Sequence, residues 1–488
     1  MAEKNNVSIA VILLVTPNSV GFSEGFAKYP YLQNVKTDEI TICWKILQSA
    51  DTSDPNLYRL EYGMGNYSNV APYPVSYPTD SQLFQLTLTS LLPGTLYQYR
   101  VRSGSQWSQE AAFSTAVRSN EPFAFAVYAD TQLRAGRPTN NQQDVANLII
   151  SYAPDFVIQC GDMWSSNEGP DVDLFFNVSK DLMKNTPLFP AIGNHEFWTA
   201  DSPGAGTYTA PERYRRYFVV PSNLSSTEDY YSFDYGNSHF VVANANLAEG
   251  GPDYHRGSTQ YAAIENDLMT ASSDPNIAHV FAVLHKPAHS NGWKHGCGDD
   301  SVIEDPDISV DLGELFQEYE VDIVFSGHDH SYQRFQPVDA NNRQIWICDP
   351  PADPNDPNHS CNIIMNGVTY VVTGGGGYQL YDVDPAGTAE DCPDAYPDCN
   401  LPAPQLTSIA AEKTFHAVFV EVENENLYIN VRDVNDSVID RFRVVAPEYC
   451  LNKPLSDLNG DCKVTFSDFA ILASEWLDCG RCDQTTCL

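Results

Sequence analysis

Positive charge is scarce in this chain. Against 64 Asp and Glu it carries 27 Lys and Arg, a formal net charge of -37 over 488 residues. That deficit excludes a sequence-independent grip on nucleic acid or on an anionic membrane, both of which need clustered Lys and Arg. It leaves an anionic substrate open, because metal ions in a cleft reverse the local field. Long apolar runs are missing too. The stretch from Val7 to Val15 is too short to span a bilayer, which takes about 20 apolar residues, and no other run is long and apolar enough. With Lys4 before it and the small residues Gly25-Phe26-Ala27 after it, residues 1–27 read as an export signal, which predicts a secreted, periplasmic or cell-surface protein. Cys479-x-x-Cys482 has neither a second C-x-x-C nor a histidine pair beside it, so zinc and thioredoxin chemistry recede. The 12 cysteines suit an oxidising compartment, with Cys348/Cys361, Cys392/Cys399 and the C-terminal group as disulfide candidates, while Cys43 and Cys160 lie in apolar strand runs as buried thiols.

What is present is a globular composition, 42% hydrophobic and 19% charged, long enough for several domains. Residues 28–118 read as a β domain. Glu39–Lys45, Tyr58–Gly63 and Gln82–Leu88 alternate at strand period. Leu91 to Tyr97 turns into a further strand, with Tyr97 placed as a tyrosine-corner side chain. From residue 119 to 446 the pattern becomes layered α/β. Phe123–Ala129 and Asp155–Cys160 are continuous apolar runs, as expected of strands covered on both faces. Helical spacing over 142–152, 171–184, 259–269 and 311–319 alternates with strands over 187–192, 280–284 and 321–325, and a hairpin is predicted around Gly236-Asn237. Residues 447–488 differ again. Asp457, Asn459, Asp461, Thr465 and Asp468 fall at positions 1, 3, 5, 9 and 12 of a calcium loop, with the Lys463 carbonyl at position 7. The competing reading is an acidic turn held by disulfides.

The chemistry gathers at strand ends. Five apolar runs stop at Asp130, at Gly161-Asp162, at Gly193-Asn194-His195-Glu196, at His285 and at Gly327-His328-Asp329-His330. Ligands of open α/β sheets bind outside the carboxyl ends of the strands. Singly, Asp130 could cap a helix, Asn194 could make a turn, and a lone His-x-His is as well explained by a surface turn. The ordered set of oxygen and imidazole donors suits Fe, Mn or Zn. Gly374–Gly377 lacks a following Gly-Lys-Ser/Thr, so it reads as a tight turn near the crevice rather than a phosphate loop.

Taken together, the Gly-Asp, Gly-Asn-His-Glu and Gly-His-x-His-x-Tyr-x-Arg elements resemble the five motifs of calcineurin-like metallophosphoesterases. The N-terminal domain resembles the fibronectin type III-like domain of the purple acid phosphatase branch, and the tail one repeat of a dockerin. The resemblance implies a β-sandwich followed by a layered α/β metallophosphoesterase domain and a small Ca-loop tail. It implies that Asp130, Asp162 and His330 bind one metal, and Asp162, Asn194, His285 and His328 a second, with Asp162 bridging. The family offers His at the position of Gln132, or Gly in purple acid phosphatases; Gln132 here supplies a carbonyl oxygen or holds a water. The purple enzymes place Tyr where Ser165 stands, so no tyrosinate chromophore is expected. His195 and His295 are expected near the reacting phosphate, with His295 favoured over His289 for the leaving group; Asn194 and His289 are expected to contact substrate, and the plain reading of His289 and His295 is surface histidine. The expectation is an exported dinuclear phosphatase in which hydroxide generated at the metals attacks phosphomonoesters. The alternatives are a phosphodiesterase or nucleotide hydrolase, or a catalytically inactive surface-attached binding protein with a cell-surface or scaffold partner at the tail.

Overall fold

The computed structural model describes residues 25–47, 57–71, 75–199, 208–292, 307–335, 337, 362–364, 367–383 and 408–445. The export signal up to residue 24, His295 and the whole 447–488 tail, with its calcium-loop residues and cysteines, lie outside the described residues.

The first domain is two antiparallel sheets. Strands Phe26–Gln33, Glu39–Ile46, Asp80–Thr89 and Val75–Tyr77 form one, in that order. Asn69–Val70, Leu60–Gly63, Leu96–Ser103 and Gln106–Trp107 form the other, with Ala111–Ser114 paired to Leu96–Ser103. Side chains alternate in and out as period-2 patterning requires, so Ile40, Ile42, Trp44, Phe84, Tyr99 and Val101 meet in the core between the sheets. The Tyr97 hydroxyl accepts from the Leu92 backbone N–H at 2.9 Å, the tyrosine-corner bond expected from the sequence.

The second domain holds two seven-stranded sheets packed face to face. The first runs Leu188–Pro190, Phe156–Gln159, Phe123–Tyr128, His416–Glu423, Asn426–Asp433, Val438–Val445 and Asn362–Ile364. Its first three strands are mutually parallel. The second runs Tyr231–Tyr235, Ser238–Val242, His279–Val283, Ile323–Ser326, Thr369–Thr373, Tyr332–Phe335 and Ser408–Glu412. Between them lies an aromatic core: Phe125 stacks on Phe156 at 5.2 Å and meets Phe240 and Phe281 edge-on at 5.2 and 5.3 Å. Removing a fully buried ring such as Phe125 costs about 3–5 kcal/mol. Helices cover the outer faces. Asn140–Tyr152 and Gly169–Val178 lie on the first sheet, and Thr259–Ser273 and Leu312–Glu318 on the second. The single helix expected over 171–184 is two, broken at Ser179, whose N–H closes the first helix on Phe175.

The two domains are joined by side chains of the Phe26–Gln33 and Leu96–Ser103 strands. Buried Lys28 pairs with Asp173 and sits over the rings of Phe176 and Tyr217. Tyr31 donates to the Tyr217 carbonyl at 2.6 Å, and Tyr99 to that of Lys184 at 2.7 Å.

Candidate metal centre

Three of the five ligand-bearing strand ends belong to one sheet and two to the other. Asp130, Asp162 and Asn194 follow the parallel strands Phe123–Tyr128, Phe156–Gln159 and Leu188–Pro190; His285 follows His279–Val283, and His328 and His330 follow Ile323–Ser326. The single-crevice expectation therefore holds across a pair of sheets rather than within one. The chain must turn sharply where it leaves these strands. Asp130, Gln132, Asp162 and His328 have φ of 59°, 34°, 57° and 70°. This left-handed backbone costs a non-glycine residue about 1 kcal/mol or more and clusters where function over-determines it. Residue 193 must itself be glycine, because a Cβ there would strike the Asp162 carboxylate.

All six expected ligands come together, buried. His285 Nε2 lies 2.9 Å from Asn194 Oδ1, 3.3 Å from Asp162 Oδ1 and 3.2 Å from His328 Nδ1. One ligand atom from each of Asp162, His285 and His328 lies within 4.8 Å of the others, a spacing that can hold a metal ion. On the other side, His330 Nε2 is 3.5 Å from Asp130 Oδ1 and 3.2 Å from Gln132 Nε2. Asp162 faces both groups: Oδ1 is turned to His285, while Oδ2 accepts from Gln132 Nε2 at 2.7 Å. Asp130 Oδ1 is buried and makes no hydrogen bond. A buried carboxylate oxygen without a donor, opposite an imidazole nitrogen, fits a cation and is costly otherwise.

Two of the three imidazoles are oriented by their second nitrogen. His285 Nδ1 donates to the Cys160 carbonyl at 2.8 Å, and His330 Nδ1 to that of Gln379 at 2.7 Å. Both Nε2 atoms are thereby left facing the crevice. Burial alone would lower the pKa of His285, but the Asp162 and Asp130 carboxylates outweigh it and raise it to about 9. Burial would likewise raise Asp162, yet His285 and His195 hold it below the ordinary carboxylate range. The pair thus holds an imidazolium proton against a carboxylate, a proton that a metal would displace on binding.

His195 sits at the edge. Its backbone N–H donates to Asp162 Oδ1 at 2.9 Å, its Nδ1 to the Ser165 carbonyl at 2.7 Å, and its Nε2 lies 3.7 Å from Asp162 Oδ2. Burial lowers its pKa against the pull of Asp162. His289 does not join the cluster. Its ring packs edge-on against Tyr370 at 4.6 Å and near Phe335, on the helix-covered face, with Nε2 buried and unpartnered. Ser165 does not face the ligands either, since its hydroxyl donates to the Gln132 carbonyl at 2.8 Å. Gln132 presents its amide nitrogen to Asp162 and His330, so ligation by its oxygen requires the amide to turn over.

Glu196, the last residue of the Gly-Asn-His-Glu motif, braces the site. Fully buried, it accepts backbone N–H bonds from Gly193, Asp162 and Met163 at 2.7, 2.9 and 2.9 Å. Its bond to the Gly193 N–H is the return half of a capping box, and because glycine has no side chain for the other half, no capping signal marks Glu196 in the sequence.

Residues 123–332 match the family model described as calcineurin-like phosphoesterase, and residues 29–115 that of the purple acid phosphatase N-terminal domain. Purple acid phosphatase 23 of Arabidopsis thaliana is 26% identical over 68% of this chain and 73% of its own length. Purple acid phosphatase 13 of the same plant is 27% identical over 57% of this chain. An uncharacterized protein of Mycobacterium tuberculosis is 27% identical over 53% of it. The chain spans about half the length of these last two relatives, 52% in each case. The fold is that of the purple acid phosphatase from yellow lupin seeds, with a TM-score of 0.63 at 22% identity, covering 86% of this chain and 74% of that one. PhoD shares it at a TM-score of 0.57 and 11% identity, covering 87% and 90%. With both models matched in order, residues 123–332 form a calcineurin-like phosphoesterase domain, the domain of a hydrolase, preceded at residues 29–115 by the N-terminal domain of the purple acid phosphatase type.

Proposed function

We propose that the protein is an exported phosphatase that hydrolyses phosphomonoesters at a dinuclear metal centre. The observation that carries this reading is Asp162, one of whose carboxylate oxygens faces His285, which Asn194 and His328 also approach, while the other faces Gln132 beside His330. Asp130, Asp162 and His330 hold the first cation, and Asp162, Asn194, His285 and His328 the second. A pair of cations held there would supply Lewis acidity to the phosphoryl group and make water acidic enough to act as the nucleophile near neutral pH. The chain's own residues do the rest. His195, its Nδ1 committed to Ser165, offers Nε2 at the crevice edge to orient the phosphoryl group and carry a proton. Asn194 supports the substrate as well as a metal. The acidic chain draws its anionic substrate through the charge of the cations, not through Lys or Arg. Export rests on the 1–27 segment; among the described residues no helix is long and apolar enough to cross a membrane. The 447–488 tail is read as a calcium loop that attaches the enzyme to a surface or scaffold partner.

A second reading has its own observation. Probable inactive purple acid phosphatase 24 of Arabidopsis thaliana is 29% identical over 60% of this chain, and Gln132 and Ser165 depart from the family pattern. Metal analysis of the purified protein, together with turnover of p-nitrophenyl phosphate and bis-p-nitrophenyl phosphate, separates the readings. Two bound ions with preference for the monoester are expected. Two ions without turnover of either ester would establish the binding protein, and preference for the diester would establish a phosphodiesterase.

A further inference from the structure

The segment from Gly374 to Tyr381 lies between the Thr369–Thr373 strand and residues outside the description, and the proposed reaction gives it no task. Its contacts converge on one side of the crevice. The Gln379 carbonyl accepts from His330 Nδ1 at 2.7 Å. The Tyr381 ring stacks flat on the His330 ring, centroids 4.1 Å apart and planes 16° apart, and Tyr378 meets the same imidazole edge-on at 5.4 Å. The backbone is tied at both ends of this contact: Tyr381 N–H donates to the His330 carbonyl at 2.9 Å and Tyr378 N–H to that of Asp130 at 3.3 Å. The glycines make the approach possible. A Cβ on Gly374 would collide with the Asp329 carbonyl, and one on Gly376 with that of Ala129. The far side of the turn is held by His416, whose backbone N–H donates to the Gly375 carbonyl at 3.1 Å and whose Nε2 bonds Thr373 Oγ1 at 3.0 Å.

An imidazole has two freedoms to lose before it can serve as a fixed donor: its tautomer and its ring rotation. The Gln379 carbonyl sets the first, and the Tyr381 face with the Tyr378 edge sets the second. Glycine packing locks the backbone that carries all three onto Ala129, Asp130 and Asp329. We infer that Gly374–Tyr381 is a positioning element for His330 and Asp130, which sets the affinity of the first cation separately from the second. This inference rests on the dinuclear reading above. Tyr381 acts through His330, as a positioning residue.

The test is calorimetric titration of metal-free full-length protein with Mn2+, comparing wild type with Tyr381→Leu, Tyr381→Phe and Gly376→Ala and recording each urea unfolding midpoint. Tyr381→Leu should weaken one of two Mn2+ sites by about 10–100-fold, leaving the other site and the midpoint unchanged. Tyr381→Phe, which keeps the ring, should restore both sites, and Gly376→Ala should behave like Tyr381→Leu at the weakened site. Two unchanged sites in Tyr381→Leu, or equal weakening of both sites, would overturn the inference while leaving the dinuclear reading intact. Fewer than two sites in wild type would overturn the dinuclear reading, and the inference with it.

Discussion

His285 and His330 each give one ring nitrogen to a backbone carbonyl, but the carbonyls come from different kinds of place. His285 is aimed by Cys160, two residues before Asp162 and inside the neighbouring motif. His330 is aimed by Gln379, 49 residues further along the chain and in no ligand motif. The contrast extends to the rest of each half. Around His285 the candidate ligands touch one another: Asn194, Asp162 and His328 all lie within 3.3 Å of its Nε2. Around His330 stand a carboxylate oxygen without a hydrogen bond, an amide nitrogen and two tyrosine rings. One half is assembled from motifs that orient one another. The other depends on a turn that must pack correctly before its ligands are set.

Asp162 belongs to both halves, so changing it gives the largest effect and erases the comparison. Asp162→Ala should remove both ions and lower kcat/KM for p-nitrophenyl phosphate by at least about 10³-fold. Metal analysis beside the kinetics checks it, and retention of either ion with near-normal turnover would refute the bridging role. His195 lies outside both halves and sharpens the comparison by contrast. His195→Ala should keep both ions and lower kcat by about 10²-fold, because its contacts are with Asp162 and Ser165 at the crevice edge. Loss of a metal in that variant would make His195 part of one half instead.

Glu196 tests whether the self-assembled half is as independent as it looks. Its carboxylate accepts three backbone N–H bonds, one of them from Asp162 itself. Glu196→Gln keeps the shape but sets an amide N–H2 against at least one of those donors. The cost should be about 1–3 kcal/mol of stability, read from urea unfolding, with the Mn2+ site near His285 weakened about tenfold. An unchanged His285 side would mean that this half needs no brace beyond its own ligands.

The halves also differed in how readable they were. The ligands themselves were legible because each ends an apolar run that burial makes conspicuous: Val127-Tyr128-Ala129 before Asp130, Val157-Ile158 before Gly161-Asp162, Ile323-Val324-Phe325 before His328. What joins them was less so. Nothing in periodicity says that the strands form two facing sheets, because both sheets bury both faces and read alike. The placement of His289 against Tyr370 depends on where four residues of chain turn after His285, which spacing does not fix. The four glycines signalled a close approach near the crevice, but not that Gln379 and Tyr381 would land on His330, a pairing made by topology at long sequence separation.

The smallest expected effect is spectroscopic, and it bears on the less self-sufficient half alone. By family resemblance, the purple chromophore is a tyrosinate bound to ferric iron, supplied by a residue at the position of Ser165. Ser165 is a serine whose hydroxyl is already bonded to the Gln132 carbonyl at 2.8 Å, which fixes the loop instead of reaching the ligands. Two phenols do stand nearby, but Tyr381 offers its ring face to His330, and burial together with the Asp130 and Asp162 carboxylates pushes its pKa up, opposing the tyrosinate form. Iron-loaded protein should therefore bind the ion without a visible tyrosinate charge-transfer band. A band that vanished in Tyr381→Phe while iron remained bound would show that the turn supplies a ligand as well as a brace. In that case the His330 half would be built by the Gly374–Tyr381 segment outright, and the contrast between the halves would be sharper than the one drawn from His285 and His330.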